Sequence, residues 1–450
     1  MRLKKKQLKI ILFLLIVIAA DVTFIIVNPI KRKPVVVLDS ILVPLNHKIN
    51  NMMSISEATT RFDKNVDNFL SRWDIKGATF AIMKDGELLY AKGYGYANVE
   101  KGEKADVKHI FRIASVSKLI TATAIMKLHE DGKLQLDDKV FGENGILNDS
   151  ILLNISDKRV KSITVEHLLR HRAGFSLRVG DPMFNPAIVA RTLGRELPIY
   201  MDDYVEYAAE GRLRSTPGGA TSYSNIGYLV LSKIIEKVTG QGYEEYIQQS
   251  ILNPIGCYDM HISRNDVSKR MPNEVKYYEV HDAEPILSYD GTGRWAMRSA
   301  GGNDIEVLYG AGAWVSSSVD LLKFITAIDS NCGNNTIISK ESINRMTRNI
   351  KGYLPIGWAK VNGSSEWQRT GSLSGSSAFI KRQSDGYTWV FVTNTSSWKG
   401  SAFTYYINKE ISSSMKTVKS WPNQDLFVEQ PNTTKFDYKA VTLYNEYCCF

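Results

Sequence analysis

An Asp-Gly pair interrupts a stretch of β-forming residues near each end of the chain. The first stretch covers residues 78–90 around Asp85-Gly86, and the second covers 377–393 around Asp385-Gly386. Apolar residues with an Asp-Gly pair between them are a strong signal for a two-stranded hairpin. The simplest assembly pairs the two hairpins in one antiparallel sheet, although about 290 residues separate them.

Apolar positions with helical spacing occupy most of the remaining chain. Four helices are predicted from this spacing, beginning near Ser56 and running from Leu119 to His129, from Ile226 to Val238 and from Ala402 to Ile411. Residues 117–346 contain mostly such helices and loops. The sequence therefore predicts an α/β (α+β) fold, an antiparallel β-sheet flanked by helices with an inserted, mostly helical lobe.

The basic charge of the chain is concentrated at its N-terminus. The net charge is +9, of which +7 lies in residues 1–33 and only +2 in the rest. The remainder therefore shows no footprint of nucleic-acid binding. A run of eighteen mostly apolar residues, 10–27, lies between five preceding and three following basic residues. The larger positive cluster stays in the cytoplasm, which predicts an extracytoplasmic body.

The apolar run at 10–27 has two interpretations. As a retained anchor it is just long enough to span the membrane, whereas a cleaved signal peptide would end near Ala20. Asp21 is the residue that favours cleavage. The predicted organisation is an anchor or signal at 1–33, a tether at 34–55, one globular domain at 56–415 and a C-terminal tail at 416–450.

The four cysteines show no spacing typical of a metal site. An extracytoplasmic location permits disulfides. Free thiols are expected for Cys257 and Cys332, and a bond between the adjacent Cys448 and Cys449 would be strained.

Ser115 and Lys118 supply the parts of a nucleophile. Ser115 stands at the start of a predicted helix, and Lys118 lies one turn further on the same face. A serine hydroxyl needs a neighbouring base, and lysine can act as one only where burial or other cations lower its pKa. The Ser-x-x-Lys pattern recurs at Ser396–Lys399 and Ser413–Lys416, so context must distinguish the copies.

Two further segments add candidate residues to the site of Ser115 and Lys118. Tyr223-Ser-Asn225 lies between a Pro-Gly-Gly turn and a predicted helix, and Arg369-Thr370-Gly371 precedes the second hairpin. These three elements, in this order, make the sequence similar to the serine β-lactamase and penicillin-binding-protein superfamily, in its class C-like branch. The similarity covers roughly Phe62 to Met415. The third motif of that family usually begins with lysine or histidine, whereas this chain has Arg369.

The resemblance implies a role for each residue. Ser115 would form an acyl-enzyme, with Lys118 and Tyr223 as the proton-handling pair. Asn225 would donate its amide to the substrate, with a helix N-cap as its alternative role. Arg369 would hold a substrate carboxylate, or form a structural ion pair. Substrate binding would also involve Thr370, Gly371 and Ser372; the N–H groups of Ser372 and Ser115 would form the oxyanion hole.

His167 and His171 are four residues apart, a spacing that also occurs in zinc sites. Because no glutamate follows His167 and no third ligand is evident, we expect no metal and no cofactor.

The predicted function is an extracytoplasmic serine hydrolase acting on amides, esters or lactams. Its substrate would be a carboxylate-bearing small molecule or peptide, such as a D-amino-acid peptide or β-lactam, and could derive from the cell wall. The alternatives are an esterase for neutral esters and a penicillin-binding or scaffold protein without turnover.

Overall fold

The computed structural model describes residues 43–428, apart from residues 179, 333–335 and 364. Its β-strands are β1 Gly77–Lys84, β2 Glu87–Asn98, β3 Glu103–Lys104, β4 Phe111–Arg112, β5 His261–Ile262, β6 Ile286–Leu287, β7 Trp295–Ala296, β8 Trp314–Ser316, β9 Lys360–Asn362, β10 Glu366–Leu373, β11 Ser376–Arg382 and β12 Tyr387–Thr393. Its α-helices are α1 Leu45–Lys48, α2 Thr60–Arg72, α3 Ser117–Glu130, α4 Val165–Leu169, α5 Pro186–Leu193, α6 Met201–Glu210, α7 Asn225–Thr239, α8 Tyr243–Ile247, α9 Tyr309–Gly312, α10 Ser318–Thr326, α11 Lys340–Thr347 and α12 Phe403–Met415.

A seven-stranded antiparallel sheet organises the fold, in the order β3-β2-β1-β12-β11-β10-β9. Both predicted hairpins are present. Asp85 and Gly86 turn the first with positive φ values of 51° and 95°, as a tight two-residue turn requires. Pairing of β1 with β12 joins the two hairpins, which confirms the predicted single sheet.

The two faces of the sheet bury different cores. Because side chains alternate along a strand, Phe80 and Ile82 of β1 face one side while Ala81 and Met83 face the other. The first side is aromatic and is covered by α2 and α12. The second side continues into the larger core, where α10 packs on β1 and β12. The predicted α+β architecture is confirmed.

Helix α3 lies inside the larger core rather than on a surface. Eleven of its fourteen residues are buried, so it has no solvent-facing stripe. Helices α7 and α9 pack against it, with the short strands β4, β8 and β5 beside them. This helical region lies between β3 and β9 in the chain and forms the predicted inserted lobe.

The segment just before α2 is packed rather than extended. Asn46 is fully buried and donates from Nδ2 to Asp259 Oδ2 at 2.7 Å, and Ser54 Oγ donates to the Ala91 carbonyl at 2.7 Å. The tether predicted at 34–55 therefore does not extend over residues 45–54. Asn46 and Ser54 instead donate hydrogen bonds to a carboxylate and a backbone carbonyl of the globular domain.

Part of the predicted C-terminal tail also belongs to the core. The Trp421 ring packs against Phe62, Phe80 and Tyr90 with centroids 5.4–6.1 Å apart, and the Leu426 N–H donates to the Leu88 carbonyl at 2.9 Å. The globular domain therefore extends beyond residue 415, at least to Leu426. Residues 429–450 lie outside the described residues.

The membrane prediction concerns residues 10–27, which also lie outside the described residues. Within the described ranges, no helix combines the length and apolar character needed to cross a bilayer. Of the cysteines, Cys257 is a buried free thiol and Cys332 a half-buried one, as expected for these two.

Candidate active site

A cavity of about 410 Å³ collects the residues that the three sequence motifs singled out. Seven of the eight predicted site residues line it, namely Ser115, Tyr223, Asn225, Arg369, Thr370, Gly371 and Ser372. The eighth, Lys118, is fully buried behind Ser115. The cavity lies between β10 and the helical lobe.

Ser115 is held in a single 3₁₀ turn, Ala114–Val116, immediately before α3. Ala114 has a φ of 49°, which is costly for a residue with a Cβ and fixes the backbone at the point where the serine oxygen meets the cavity. Gly371 of β10 lies against this turn. A Cβ at Gly371 would lie 2.3 Å from the Ile113 carbonyl oxygen and 3.0 Å from the Ser115 nitrogen, so only glycine fits.

Lys118 Nζ donates to three neutral oxygens. Its Nζ donates to Ser115 Oγ at 3.2 Å, to Asn225 Oδ1 at 2.7 Å and to the Ala311 carbonyl. Burial lowers the pKa of Lys118, and Arg369 lowers it further, whereas Tyr223 and Asp181 act in the opposite direction. The amine is therefore easier to deprotonate than an exposed lysine.

Tyr223 reaches the nucleophile from the segment just before α7. Its hydroxyl donates to Ser115 Oγ at 2.8 Å. Burial alone would raise the pKa of Tyr223, but Lys118 and Arg369 outweigh it and lower the pKa to about 8. Ser115 Oγ thus has two groups at hydrogen-bond distance whose pKa values both lie below their usual range, and either can act as its proton acceptor.

His171 supports the Tyr223 ring. The two rings stack with centroids 4.4 Å apart, and His171 Nδ1 accepts a hydrogen bond from the Ser224 N–H at 3.0 Å. Burial, together with Lys118 and Arg369, holds the pKa of His171 well below its usual value. A neutral ring is what this contact requires, because only unprotonated Nδ1 can accept.

His167 and His171 each have another role in the structure than the zinc site that their spacing allows. His167 Nδ1 accepts from the Thr164 N–H at 3.2 Å within the cap of α4, while His171 serves Tyr223. Across the described residues, no three His, Cys, Asp or Glu side chains converge in a way that could hold a metal ion.

Asn225 is the first residue of α7, and its side chain lies between two partners. Ser224, rather than Asn225, caps the helix by accepting from the Gly227 N–H at 3.2 Å. The Asn225 carbonyl oxygen accepts from Lys118, and its Nδ2 donates to Asp181 Oδ2 at 2.6 Å. The predicted donation of this amide to substrate stays a prediction, now with Asp181 as a competing acceptor.

Sequence reasoning missed Asp181. It lies in a loop between α4 and α5, and Gly180-Asp181-Pro182 is typical of any turn, so no motif connected it with the active site. Its Oδ1 also accepts from the Met183 N–H at 3.0 Å. Burial raises the pKa of Asp181, against the opposing influence of these hydrogen bonds and of Lys118.

Arg369 grips the nucleophile's own backbone. Its Nε and Nη2 donate to the Ser115 carbonyl oxygen at 2.8 and 2.5 Å, and Nη2 lies 3.4 Å from the Tyr223 hydroxyl. The guanidinium fork is thereby directed at a carbonyl, which leaves Nη1 for a ligand.

β9 pairs only with Glu366–Gln368, so Thr370–Ser372 lie beyond the part of β10 that β9 covers.

A serine flanked by a buried lysine and a low-pKa tyrosine, in a cleft between an antiparallel sheet and a helical lobe, defines an acyl-transfer site of the active-site-serine class. The family model described as Beta-lactamase matches residues 62–411. The chain belongs to this beta-lactamase family of serine hydrolases.

Known relatives are similar at moderate identity. Protein flp of Staphylococcus aureus (strain N315) is 28% identical over 245 residues, which are 54% of this chain and 46% of that protein. The chain thus spans about half the length of this curated relative. The octameric penicillin-binding protein homologue from Pyrococcus abyssi is 26% identical, with a TM-score of 0.58 over 78% of this chain and 77% of that one.

A third relative supports the fold alone. The D-amino acid amidase from Ochrobactrum anthropi SV3 is 20% identical, with a TM-score of 0.63 over 81% of this chain and all of that one.

Proposed function

We propose that the protein is an extracytoplasmic serine hydrolase that opens amides, esters or lactams through an acyl-Ser115 intermediate. One observation carries this proposal: Ser115 Oγ is within hydrogen-bond distance of both Lys118 Nζ and Tyr223 Oη, at 3.2 and 2.8 Å. Family membership and the name of one relative, the penicillin-binding protein homologue, support it.

The proposed reaction has two stages. Tyr223, ionised beside Lys118, takes the Ser115 proton as Oγ bonds to the substrate carbonyl, and the proton then passes to the leaving group as its bond breaks. The N–H groups of Ser115 and Ser372 would hold the oxyanion, each worth on the order of 3 kcal/mol of transition-state stabilisation. Water then attacks the acyl-enzyme by the reverse proton path and releases the acid.

A dedicated esterase for neutral substrates is the second candidate. The contact between the Arg369 fork and the Ser115 carbonyl favours it, because the donors best suited to grip a substrate carboxylate are engaged. The cavity walls are also largely apolar, with Phe184, Leu308, Leu354, Trp358 and Leu373. A carboxylated substrate would instead use Nη1 of Arg369 and the hydroxyls of Thr370 and Ser372.

Covalent labelling tests the proposal. The protein is treated with a fluorescent fluorophosphonate and a fluorescent penicillin, and the adduct is mapped by mass spectrometry. We expect it on the Ser115 peptide, and we expect Ser115→Ala to lose it. Ser413→Ala is the matched control, since it alters an exposed copy of Ser-x-x-Lys and should label like the wild type. An adduct elsewhere, or none, would contradict an acyl-Ser115 enzyme.

The kinetics of label release separate the remaining alternatives. Release with turnover supports a hydrolase, and slow release indicates a penicillin-binding protein that stays acylated. Comparing an ester, a D-alanyl peptide and a cephalosporin then distinguishes the carboxylated substrate class, which could be cell-wall derived, from neutral esters.

The proposed location rests on residues 10–27. A retained anchor should keep the full chain in membranes after an alkaline carbonate wash, with the body outside. A mature N-terminus near Ala20 would replace the anchor with a cleaved signal and a secreted form.

A further inference from the structure

We propose that Asp181 is a positioning residue for the nucleophile, acting on Lys118 through the side chain of Asn225. This inference rests on the proposed function and adds a member to the same site. The three side chains form one chain of hydrogen bonds, from Asp181 Oδ2 to Asn225 Nδ2 at 2.6 Å and from Asn225 Oδ1 to Lys118 Nζ at 2.7 Å.

The carboxylate determines which way the Asn225 amide points. An amide has a donor end and an acceptor end, and an ionised carboxylate can only accept. Asp181 therefore selects the NH₂ end and turns the carbonyl oxygen toward Lys118. Without Asp181, Nδ2 of Asn225 would lose its acceptor and only Lys118 would hold the amide, so the shortest side-chain contact of the lysine would loosen.

The carboxylate is itself fixed in place. Asp181 Oδ1 accepts from the Met183 N–H at 3.0 Å, which leaves Oδ2 for Asn225. Pro182 and Met183 are buried, and Phe184 of the same turn lines the cavity. One short turn thus supplies part of the cavity wall and the acceptor that orients the amide.

Among the titratable groups that act on Lys118, Asp181 is the one that carries a carboxylate. Those groups are Tyr223, Arg369, His171 and Asp181, of which Arg369 is a cation and His171 is neutral. The hydrogen bonds of Lys118 Nζ to Ser115, Asn225 and Ala311 all end on neutral oxygens. Asp181, one amide away, therefore adds a second negative charge near the ammonium, besides that of the ionised Tyr223.

Two substitutions separate the hydrogen bond from the charge. Asp181→Asn keeps an oxygen that can accept from Asn225 but removes the charge. Removing a nearby negative charge should lower the pKa of Lys118 by about 0.5–1 pH unit. Asp181→Ala removes both, so acylation should fall by about tenfold or more with little change in KM, because Asp181 does not line the cavity.

Asp266 provides a matched control. It caps the 3₁₀ turn Val267–Lys269 by accepting from the Ser268 N–H at 2.9 Å, the same local bond that Asp181 makes to Met183. Asp266 is exposed and outside the cavity. Asp266→Ala should therefore leave the acylation rate and its pH profile unchanged. If Asp181→Ala behaves like Asp266→Ala, Asp181 is only a turn cap and the proposal is wrong.

A readout without substrate keeps this test independent of the proposed function. The pKa of Lys118 is measured by NMR in protein labelled with ¹³C in its lysine side chains, with the Lys118→Ala spectrum for assignment. We expect a lower pKa in Asp181→Asn than in the wild type. An unchanged pKa overturns the inference even if Ser115 labels normally, whereas absence of any label with a shifted pKa counts only against the proposed function.

Discussion

Two helices carry the same Ser-x-x-Lys pattern in opposite environments. At α3 the pattern is Ser115–Lys118, and the lysine is fully buried on a helix with eleven buried residues. At the end of α12 it is Ser413–Lys416, and both side chains are exposed on a helix that buries only one face. The Ser-x-x-Lys spacing therefore only brings the two side chains close together, whereas burial and neighbouring cations change the pKa on which catalysis depends.

The largest expected effect comes from removing each lysine in turn. Lys118→Ala should slow acylation of Ser115 by about 10²-fold or more, because the serine loses a proton acceptor and Tyr223 loses the cation that lowers its pKa. Lys416→Ala should change nothing. Stopped-flow acylation with a chromogenic ester measures both, and the double variant Lys118→Ala with Tyr223→Phe should be far from multiplicative. Multiplicative losses would mean that the two residues act independently.

The pH dependence of acylation should follow Tyr223. Its pKa is lowered to about 8, so the reactive phenolate becomes scarce as the pH falls below that value. We expect the rate to fall by about tenfold per pH unit below the midpoint and to level off above it. His171 should not add a transition, since its pKa lies well below the usual range. A midpoint near 10 would show that the cations do not act on Tyr223.

Arg369→Ala should have a smaller effect, of about one to two decades in kcat/KM. Because the fork holds the Ser115 carbonyl and its charge acts on Tyr223, neutral esters and carboxylated substrates should lose activity alike. The acidic limb should also move to higher pH, since the tyrosine pKa rises when a cation is removed. Arg369→Lys should recover part of the loss. A loss confined to carboxylated substrates would restore the carboxylate-anchor role.

Substitutions in α12 should have the smallest effect on the acylation rate. Ile407→Ala removes a fully buried side chain from the aromatic face and should lower the free energy of unfolding by about 2–5 kcal/mol. The folded fraction should still acylate at the wild-type rate. Ser413→Ala, on the exposed face of the same helix, should stay within about 0.5 kcal/mol. Urea denaturation and titration of active sites measure the two quantities separately.

The sequence was sufficient for the features that local chemistry determines. The Asp-Gly turns predicted the sheet, and the helix ends predicted the lobe. The order of the three motifs predicted which residues would line the cavity. The roles of Asp181 and His171 in the site were not predicted, because they depend on which loops the fold brings together. An Asp in a turn or a His at a helix end does not carry that information. The packing of residues 45–54 and of Trp421 against the core was not predicted for a similar reason. Polar residues and isolated apolar residues do not indicate their tertiary partners.

The contacts of the two cations have a thermodynamic consequence. Over the described part of the chain, neither Lys118 nor Arg369 forms an ion pair with a carboxylate, and both are almost entirely buried. Unpaired buried charge is unfavourable for folding, so the empty protein is less stable than its composition would allow. An anion at Ser115, such as an oxyanion or a boronate mimicking it, would supply the missing negative charge. The protein should therefore melt at its highest temperature when its active site is occupied.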